Sequence, residues 1–295
     1  KSVANLIFHI GYPKAGSTTL QKSVFQSLPH VQCLLPENHP KCILSSKEVS
    51  AIQQLWKQPF SDEKDELILI ENAKSVIDDL TDDALYVVSS EHIQLIHTKP
   101  NLDLVLTRCK AAFGLPYVVL VNRDPVDLLR SLYDMHPFDA FSTSHDYVTF
   151  DSWLDSFFDP KNDNKLRGYL NINNTTSELE KIFGIYRVHV LEFDSLFKRK
   201  SSDHIGQLAE LLKISSTELV SLLSQKQNKH ADHQLSHLSR RLLGAFHLSD
   251  YLPSSIVRRL ARKLTALLVA LGLSKPPTSI SAHASWKIRE FYSMK

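Results

Sequence analysis

The feature that most constrains this chain lies at residues 8–20, F-H-I-G-Y-P-K-A-G-S-T-T-L. A short apolar run over residues 5–10 (NLIFHI) reads as a buried strand and ends at a glycine. Residues 11–18 form a loop. Residues 19–28 then take helical spacing, with Leu20, Val24 and Leu28 on one face and Pro29 as the stop. A loop of this kind points successive backbone N–H groups at one spot, and the helix N-terminus adds partial positive charge. The segment is a cradle for an oxyanion.

The alternation of strand and helix continues. Residues 67–80 read as a helix through Ile68, Ala73, Val76, Ile77 and Leu80, and residues 84–89 (ALYVVS) as a second strand. A helix over 102–113, a strand over 117–122 (YVVLVN) and a helix over 125–133 with proline in its first turn follow. Residues 138–158 read as loop plus helix, 177–183 as helix and 187–193 (RVHVLEF) as a fourth strand. Helices are expected over 204–212, 216–223, 236–246, 255–271 and 286–292, and residues 32–58 read as irregular and proline-punctuated. The pattern predicts an α/β fold, a mostly parallel central sheet flanked by helices, with a helical C-terminal third. No repeat or long polar linker divides the chain, so residues 1–295 are expected to form one domain, an α/β body over 1–225 and a basic helical part over 226–295.

The net charge of +2 hides an asymmetry: residues 1–225 carry 22 Lys and Arg against 29 Asp and Glu, whereas residues 226–295 carry 12 against 3. A basic tail on an acidic body implies an anionic partner, either a phosphorylated ligand, an acidic polymer or a membrane surface; a solvated helical face is the plain alternative. Cys33, Cys42 and Cys109 contain no C-x-x-C pair, so a zinc finger or thioredoxin-like motif is excluded, and free thiols are favoured over a Cys33–Cys42 bridge. His230 and His233 have no partner acid to make a metal site, and no metal is expected. The apolar run over 264–273 falls short of the ~20 residues a spanning helix needs. Asn173 and Asn174 open sequons too short to carry weight. No basic-then-apolar leader opens the chain, which starts at Lys1. The expected location is cytoplasmic, peripheral to a membrane through the basic helices, or the Golgi lumen if an anchor preceded Lys1.

The loop departs from the Walker A pattern G-x-x-x-x-G-K-[ST] in one respect. Gly11 and Gly16 keep the spacing and Thr18 keeps the hydroxyl, but Ser17 stands in the lysine position and the cation has moved to Lys14. A magnesium-dependent enzyme of that type usually ends a strand in an acid. Here the strand ends in Asn122-Arg123-Asp124-Pro125, where Arg123 adds a second cation at the ligand-binding end of the sheet and Asp124 suits a helix cap or ion pair.

The segment G-Y-P-K-A-G-S-T-T-L resembles the 5′-phosphosulfate-binding motif of the sulfotransferase family, whose fold is P-loop-like. V-N-R-D-P-V-D-L-L-R-S-L-Y, residues 121–133, resembles its 3′-phosphate-binding motif. Weaker similarity continues through residues 187–197, and the whole covers residues 5 to about 212. The resemblance implies 3′-phosphoadenosine 5′-phosphosulfate (PAPS) as donor. It implies Lys14 at the donor's bridging oxygen, Gly11, Ala15, Gly16, Ser17, Thr18 and Thr19 around the 5′-phosphate, and Arg123 and Ser131 on the 3′-phosphate, with Arg130 in reserve. Family members often close a basic loop over that phosphate; Lys226, Asn228 and Lys229 are suitably placed, although a clear R-K-G run is missing.

Sulfuryl transfer to a hydroxyl needs a base, which typically contributes roughly 100- to 10,000-fold. The second strand leads into Ser89-Ser90-Glu91-His92, similar to the S-S-E of bacterial polysaccharide sulfotransferases. Glu91 is the expected base and His92 the second choice, since side chains alternate on a strand. His136, Phe138 and His145 are candidates for the acceptor side, whereas Phe150, Trp153, Leu154, Phe157 and Phe158 have helical spacing and are expected in the core. The implied reaction is transfer to a hydroxyl of a glycan or glycolipid; no nucleic-acid partner is expected. A small-molecule P-loop kinase is the competing enzyme. A non-catalytic protein docking on an acidic polymer or membrane is the competing non-enzyme. Its candidate surface is residues 255–271, with Ile256, Leu260, Leu264, Leu267, Leu268 and Leu271 opposite Arg258, Arg259, Arg262 and Lys263.

Overall fold

A computed structural model describes residues 5–11, 15–35, 42–57, 62–81, 83–90, 99–135, 150–159, 172–224, 260, 263–264, 267 and 282–293. Two compact units make up the chain. The first comprises Lys1–Arg123 and Lys165–Asn228, the second Asp124–Asn164 and Lys229–Lys295.

The first unit is built on strands β1 (Leu6–Gly11), β2 (Val31–Leu35), β3 (Leu85–Ser90), β4 (Tyr117–Asn122) and β5 (Val188–Glu192). They form one sheet in the order β2-β3-β1-β4-β5, and every neighbouring pair is parallel. Parallel strands require crossovers, and helices fill them: α1 (Ser17–Thr19), which runs on as a π-helix over Leu20–Phe25, then α2 (Ser46–Lys57), α3 (Glu63–Asp78) and α4 (Lys99–Phe113). α7 (Ile172–Phe183) precedes β5, and a second π-helix (Ser195–Arg199), α8 (Ser202–Leu211) and α9 (Ser216–Ser224) follow it.

Both faces of the sheet are covered, as the alternation of β1 shows. Phe8 meets Phe113 of α4 and Phe183 of α7 edge-on, at 5.3 and 6.3 Å between ring centroids. His9, on the opposite face, meets Phe25 of the first π-helix at 5.8 Å. β1, β3 and β4 are accordingly near-continuous apolar runs.

The sequence reading missed two elements. Residues 32–58 are not irregular throughout, because β2 and α2 lie within residues 31–57. β2 is a five-residue edge strand (VQCLL) with too few residues to show a period. α2 carries a capping box: Glu48 accepts from the backbone N–H of Ser45 at 2.7 Å, and Ser45 Oγ accepts from the N–H of Glu48 at 3.4 Å. The Ser45 hydroxyl, donating to the Glu48 carboxylate at 2.6 Å, and then the Ser45 N–H hold that carboxyl below its usual range. Cys33, Cys42 and Cys109 are free thiols.

In the second unit the described elements are α5 (Pro125–Met135), α6 (Phe150–Phe158) and α10 (Ala282–Ser293). Trp153, Leu154 and Phe157 are buried, as their spacing predicts, and Tyr133 of α5 meets Trp153 at 5.7 Å. Lys287 of α10 pairs with Asp155 of α6. Residues 236–246 and most of 255–271 lie outside the described residues; of the apolar set there, Leu260 and Leu267 are exposed. No helix among the described residues is long and apolar enough to cross a membrane.

Candidate active site

The sheet order places the start of the glycine loop and Arg123 side by side. β1 lies between β3 and β4, and the strand register pairs Ile10 with Ser90 on one side and Gly11 with Val121 on the other. The glycine loop leaves β1 two residues of register from where Arg123 follows β4. β5 runs beside β4, pairing Glu192 with Asn122, so Phe193 and Arg123 emerge from neighbouring strands. All three chain exits lie at the C-terminal edge of the sheet, where open α/β sheets bind ligands.

Gly16 sets the geometry of the loop. Its backbone is left-handed (φ 82°, ψ 8°), and its carbonyl accepts from the N–H groups of Thr19 at 2.9 Å and Leu20 at 3.0 Å. The N–H groups of Ser17 and Thr18 fall in the first turn of the helix. Ser17 is buried, while Thr18 and Thr19 are half-buried. A Cβ on Gly16 would stand 2.5 Å from the Phe197 ring and 3.2 Å from the Phe193 ring, so glycine is required on grounds of space as well as of φ. Phe193 and Phe197 pack on each other at 4.8 Å, and the Arg123 guanidinium carbon lies 4.9 Å from the centroid of Phe193. One aromatic pair therefore touches both features.

A polar network adjoins the helix that follows the loop. His9 Nδ1 bonds Ser89 Oγ at 2.8 Å, and Gln21 Nε2, on the π-helix, donates to the same oxygen at 2.9 Å. It ties β1, β3 and the helix together. His9 is fully buried, and its Nε2 has no hydrogen-bond partner among the described residues. Burial pushes its pKa down to about 4, so the ring is neutral. A polar residue inside the run NLIFHI was the sequence signal for this network, and the sequence reading passed over it.

Asp124 has a structural role. Its Oδ1 accepts from the N–H groups of Val126 at 2.9 Å and Asp127 at 3.2 Å, which makes it the N-cap of α5. No group of three or more His, Cys, Asp or Glu side chains suited to a metal occurs among the described residues.

The first unit thus brings together Gly11, Ala15, Gly16, Ser17, Thr18, Thr19 and Arg123. Ser131 is half-buried on α5 and belongs to the second unit. Lys14, Glu91, His92, His136, Phe138, His145 and Lys229 lie outside the described residues. Phe193 and Phe197 were missed by the sequence reading, because nothing in the local spacing says which distant loop an aromatic pair will meet.

No protein-family model matches the chain, and no curated protein matches it. Among solved structures it is similar to a sulfotransferase from Alicyclobacillus acidocaldarius (16% identity, TM-score 0.44, 85% of this chain and 98% of that one). It is also similar to the sulfotransferase domain from the curacin biosynthetic pathway (16%, 0.42, 99% of both chains). A third is mouse sulfotransferase SULT7A1 complexed with PAP (12%, 0.45, 99% of this chain and 89% of that one). Overlaps of this depth assign no role to any residue of this chain.

Proposed function

We propose that the chain transfers the sulfuryl group of PAPS to a hydroxyl of a carbohydrate acceptor. The observation that carries this reading is the placement of Arg123 beside the glycine loop at one edge of the sheet, with the neighbouring acid Asp124 engaged as a helix cap. Two separate cation or N–H clusters suit a donor with two separate phosphoryl groups. A strand end that offers a guanidinium in place of a free carboxylate suits ATP and magnesium poorly.

In this reading the N–H groups and hydroxyls of Gly16, Ser17, Thr18 and Thr19 hold the 5′-phosphate, with Gly11 and Ala15 shaping the turn. Arg123 and Ser131 hold the 3′-phosphate, and Lys229 closes over it. Glu91 takes the proton of the acceptor hydroxyl as its oxygen attacks sulfur; His92 is the alternative base. The bond from sulfur to the bridging oxygen breaks, and its electron pair stays on the 5′-phosphate, where Lys14 neutralises the developing charge. The products are a sulfate ester and 3′-phosphoadenosine 5′-phosphate. His136, Phe138 and His145 face the acceptor, and a sugar ring stacks on an aromatic face. The basic residues 226–295 favour an anionic acceptor, whether a free polysaccharide or a glycolipid at a membrane surface.

Titration calorimetry with 3′-phosphoadenosine 5′-phosphate tests the donor assignment. Arg123→Ala is expected to weaken binding roughly 10- to 100-fold, the worth of charge-assisted hydrogen bonds. No binding by the wild type, or equal binding by the variant, overturns the reading.

A further inference from the structure

The aromatic pair after β5 touches both anion-binding features yet carries no group that could itself bind an anion. Phe193 lies under the guanidinium of Arg123, with 4.9 Å from the guanidinium carbon to the ring centroid. Phe197 lies against Gly16, so close that a methyl group at that position would sit 2.5 Å from its ring. The two rings are in contact with each other at 4.8 Å, tilted by 40°. Both ride on one short stretch of chain: Phe193 directly follows β5, which is registered on β4, and Phe197 lies in the π-helix Ser195–Arg199. π-helical turns are rare and recur at functional sites. Here the turn places Phe197 four residues beyond Phe193 with both rings toward Gly16.

We propose that Phe193 and Phe197 are positioning residues that fix the separation between the glycine loop and the Arg123 guanidinium. They thereby make the site selective for a nucleotide with two separate phosphoryl groups over one with a single 5′-phosphate. The inference rests on the donor reading above. Arginine has a long side chain with many rotamers, and a ring beneath its planar fork restricts where its N–H edges point. The contact of Phe197 with Gly16 holds the loop at a set height over the same platform. The site then presents its 5′ and 3′ donors at one spacing, and a ligand gains from the second only if its phosphates match that spacing. Phe193 governs the Arg123 end and Phe197 the loop end.

The test is calorimetry with two ligands, 3′-phosphoadenosine 5′-phosphate and adenosine 5′-monophosphate, on the wild type, Phe193→Leu, Phe193→Met, Phe193→Tyr and Phe197→Leu. Thermal unfolding is recorded for each. The wild type is expected to prefer the bisphosphate. Phe193→Leu and Phe193→Met are expected to cut that preference about tenfold, the order of a partly desolvated cation–π contact, with monophosphate affinity unchanged. Phe193→Tyr keeps the ring and is expected to keep the preference. Phe197→Leu is expected to weaken both ligands by the same factor. A wild type that binds neither ligand defeats the donor reading itself. A wild type that discriminates, with Phe193→Leu and Phe193→Met discriminating equally well, leaves the donor reading standing and overturns the proposal. An equal loss of both ligands in the Phe193 variants, or failure of both non-aromatic variants to melt cooperatively, makes Phe193 a core residue and overturns it too. Unchanged monophosphate affinity in Phe197→Leu overturns the loop half of the proposal.

Discussion

Two regions of the first unit bury polar side chains, and they do so differently. In the helical layer, Arg108 of α4 is 1% exposed and, as an arginine, a cation. Its guanidinium pairs with both carboxylate oxygens of Glu66 on α3 and donates to the carbonyl of Leu55 on α2 at 3.3 Å. On β1, the strand that leads into the glycine loop, His9 is equally buried but neutral, and one of its ring nitrogens has no hydrogen-bond partner among the described residues. The helical layer holds its charge by bidentate pairing, which is how a buried ion escapes the penalty of leaving water. The loop region instead keeps its buried polar group uncharged, and links it through Ser89 and Gln21 to the helix that follows the glycine loop. The difference separates a cluster that holds helices together from one that joins two strands to the helix after the glycine loop.

The largest effect expected from breaking this contrast is in the helical layer. Glu66→Ala leaves the Arg108 guanidinium buried without its carboxylate and is expected to lower stability by about 3–5 kcal/mol. Urea unfolding measures the loss. Below the new transition, affinity for 3′-phosphoadenosine 5′-phosphate is expected to match the wild type, since the pair joins α2, α3 and α4 and includes none of the residues proposed to hold the ligand. A variant that keeps its stability, or that loses the ligand while folded, contradicts the division between the two regions.

At the loop the balance is reversed. Gly16→Ala forces a side chain into the left-handed region, roughly 1–2 kcal/mol, and drives its methyl into the Phe197 ring, roughly 1–3 kcal/mol for an overpacked site. The expected loss of about 2–5 kcal/mol is comparable to or smaller than that of Glu66→Ala, but here ligand binding is expected to disappear with it. Full affinity in a folded Gly16→Ala protein contradicts the geometry assigned to the loop.

The contrast also explains what could be read from the sequence. β1, β3 and β4 were legible because buried parallel strands are apolar runs, edge strand β5 because Val188 and Val190 alternate with His189, and Gly11, Gly16 and Arg123 because a strand–loop–helix junction leaves a local pattern. Edge strand β2 was too short and mixed to show one, and α2 went unseen although Ser45 and Glu48 marked its start. The pairs Arg108–Glu66, His9–Ser89 and Gly16–Phe197 join positions 42, 80 and 181 residues apart in sequence. Such pairings are decided by tertiary packing, which no local spacing encodes. The single histidine in an apolar strand and the lone arginine on the buried face of α4 were the hints that such partners had to exist.

The smallest predicted effect concerns pH. Burial lowers the pKa of His9 from 6.5 to about 4, whereas in the unfolded chain the ring returns to its ordinary value. Between these two values the unfolded state binds more protons, so stability is lost as the pH falls. The contribution is fully present above pH 6.5 and declines toward about pH 4. From about pH 7 to about pH 5.5, where most carboxylates stay ionised, His9 is expected to account for a loss of about 1 kcal/mol. His189, lowered in the same direction by burial, adds to the slope despite the opposing charge of Glu210. A non-titrating variant isolates the share of His9: urea midpoints of the wild type and His9→Gln, taken at both pH values, are expected to differ more at the higher pH. Equal pH slopes in the two proteins mean that the His9 ring is already open to protons when folded. The neutral, buried support of the loop would then be no different in kind from the solvated polar surface around it.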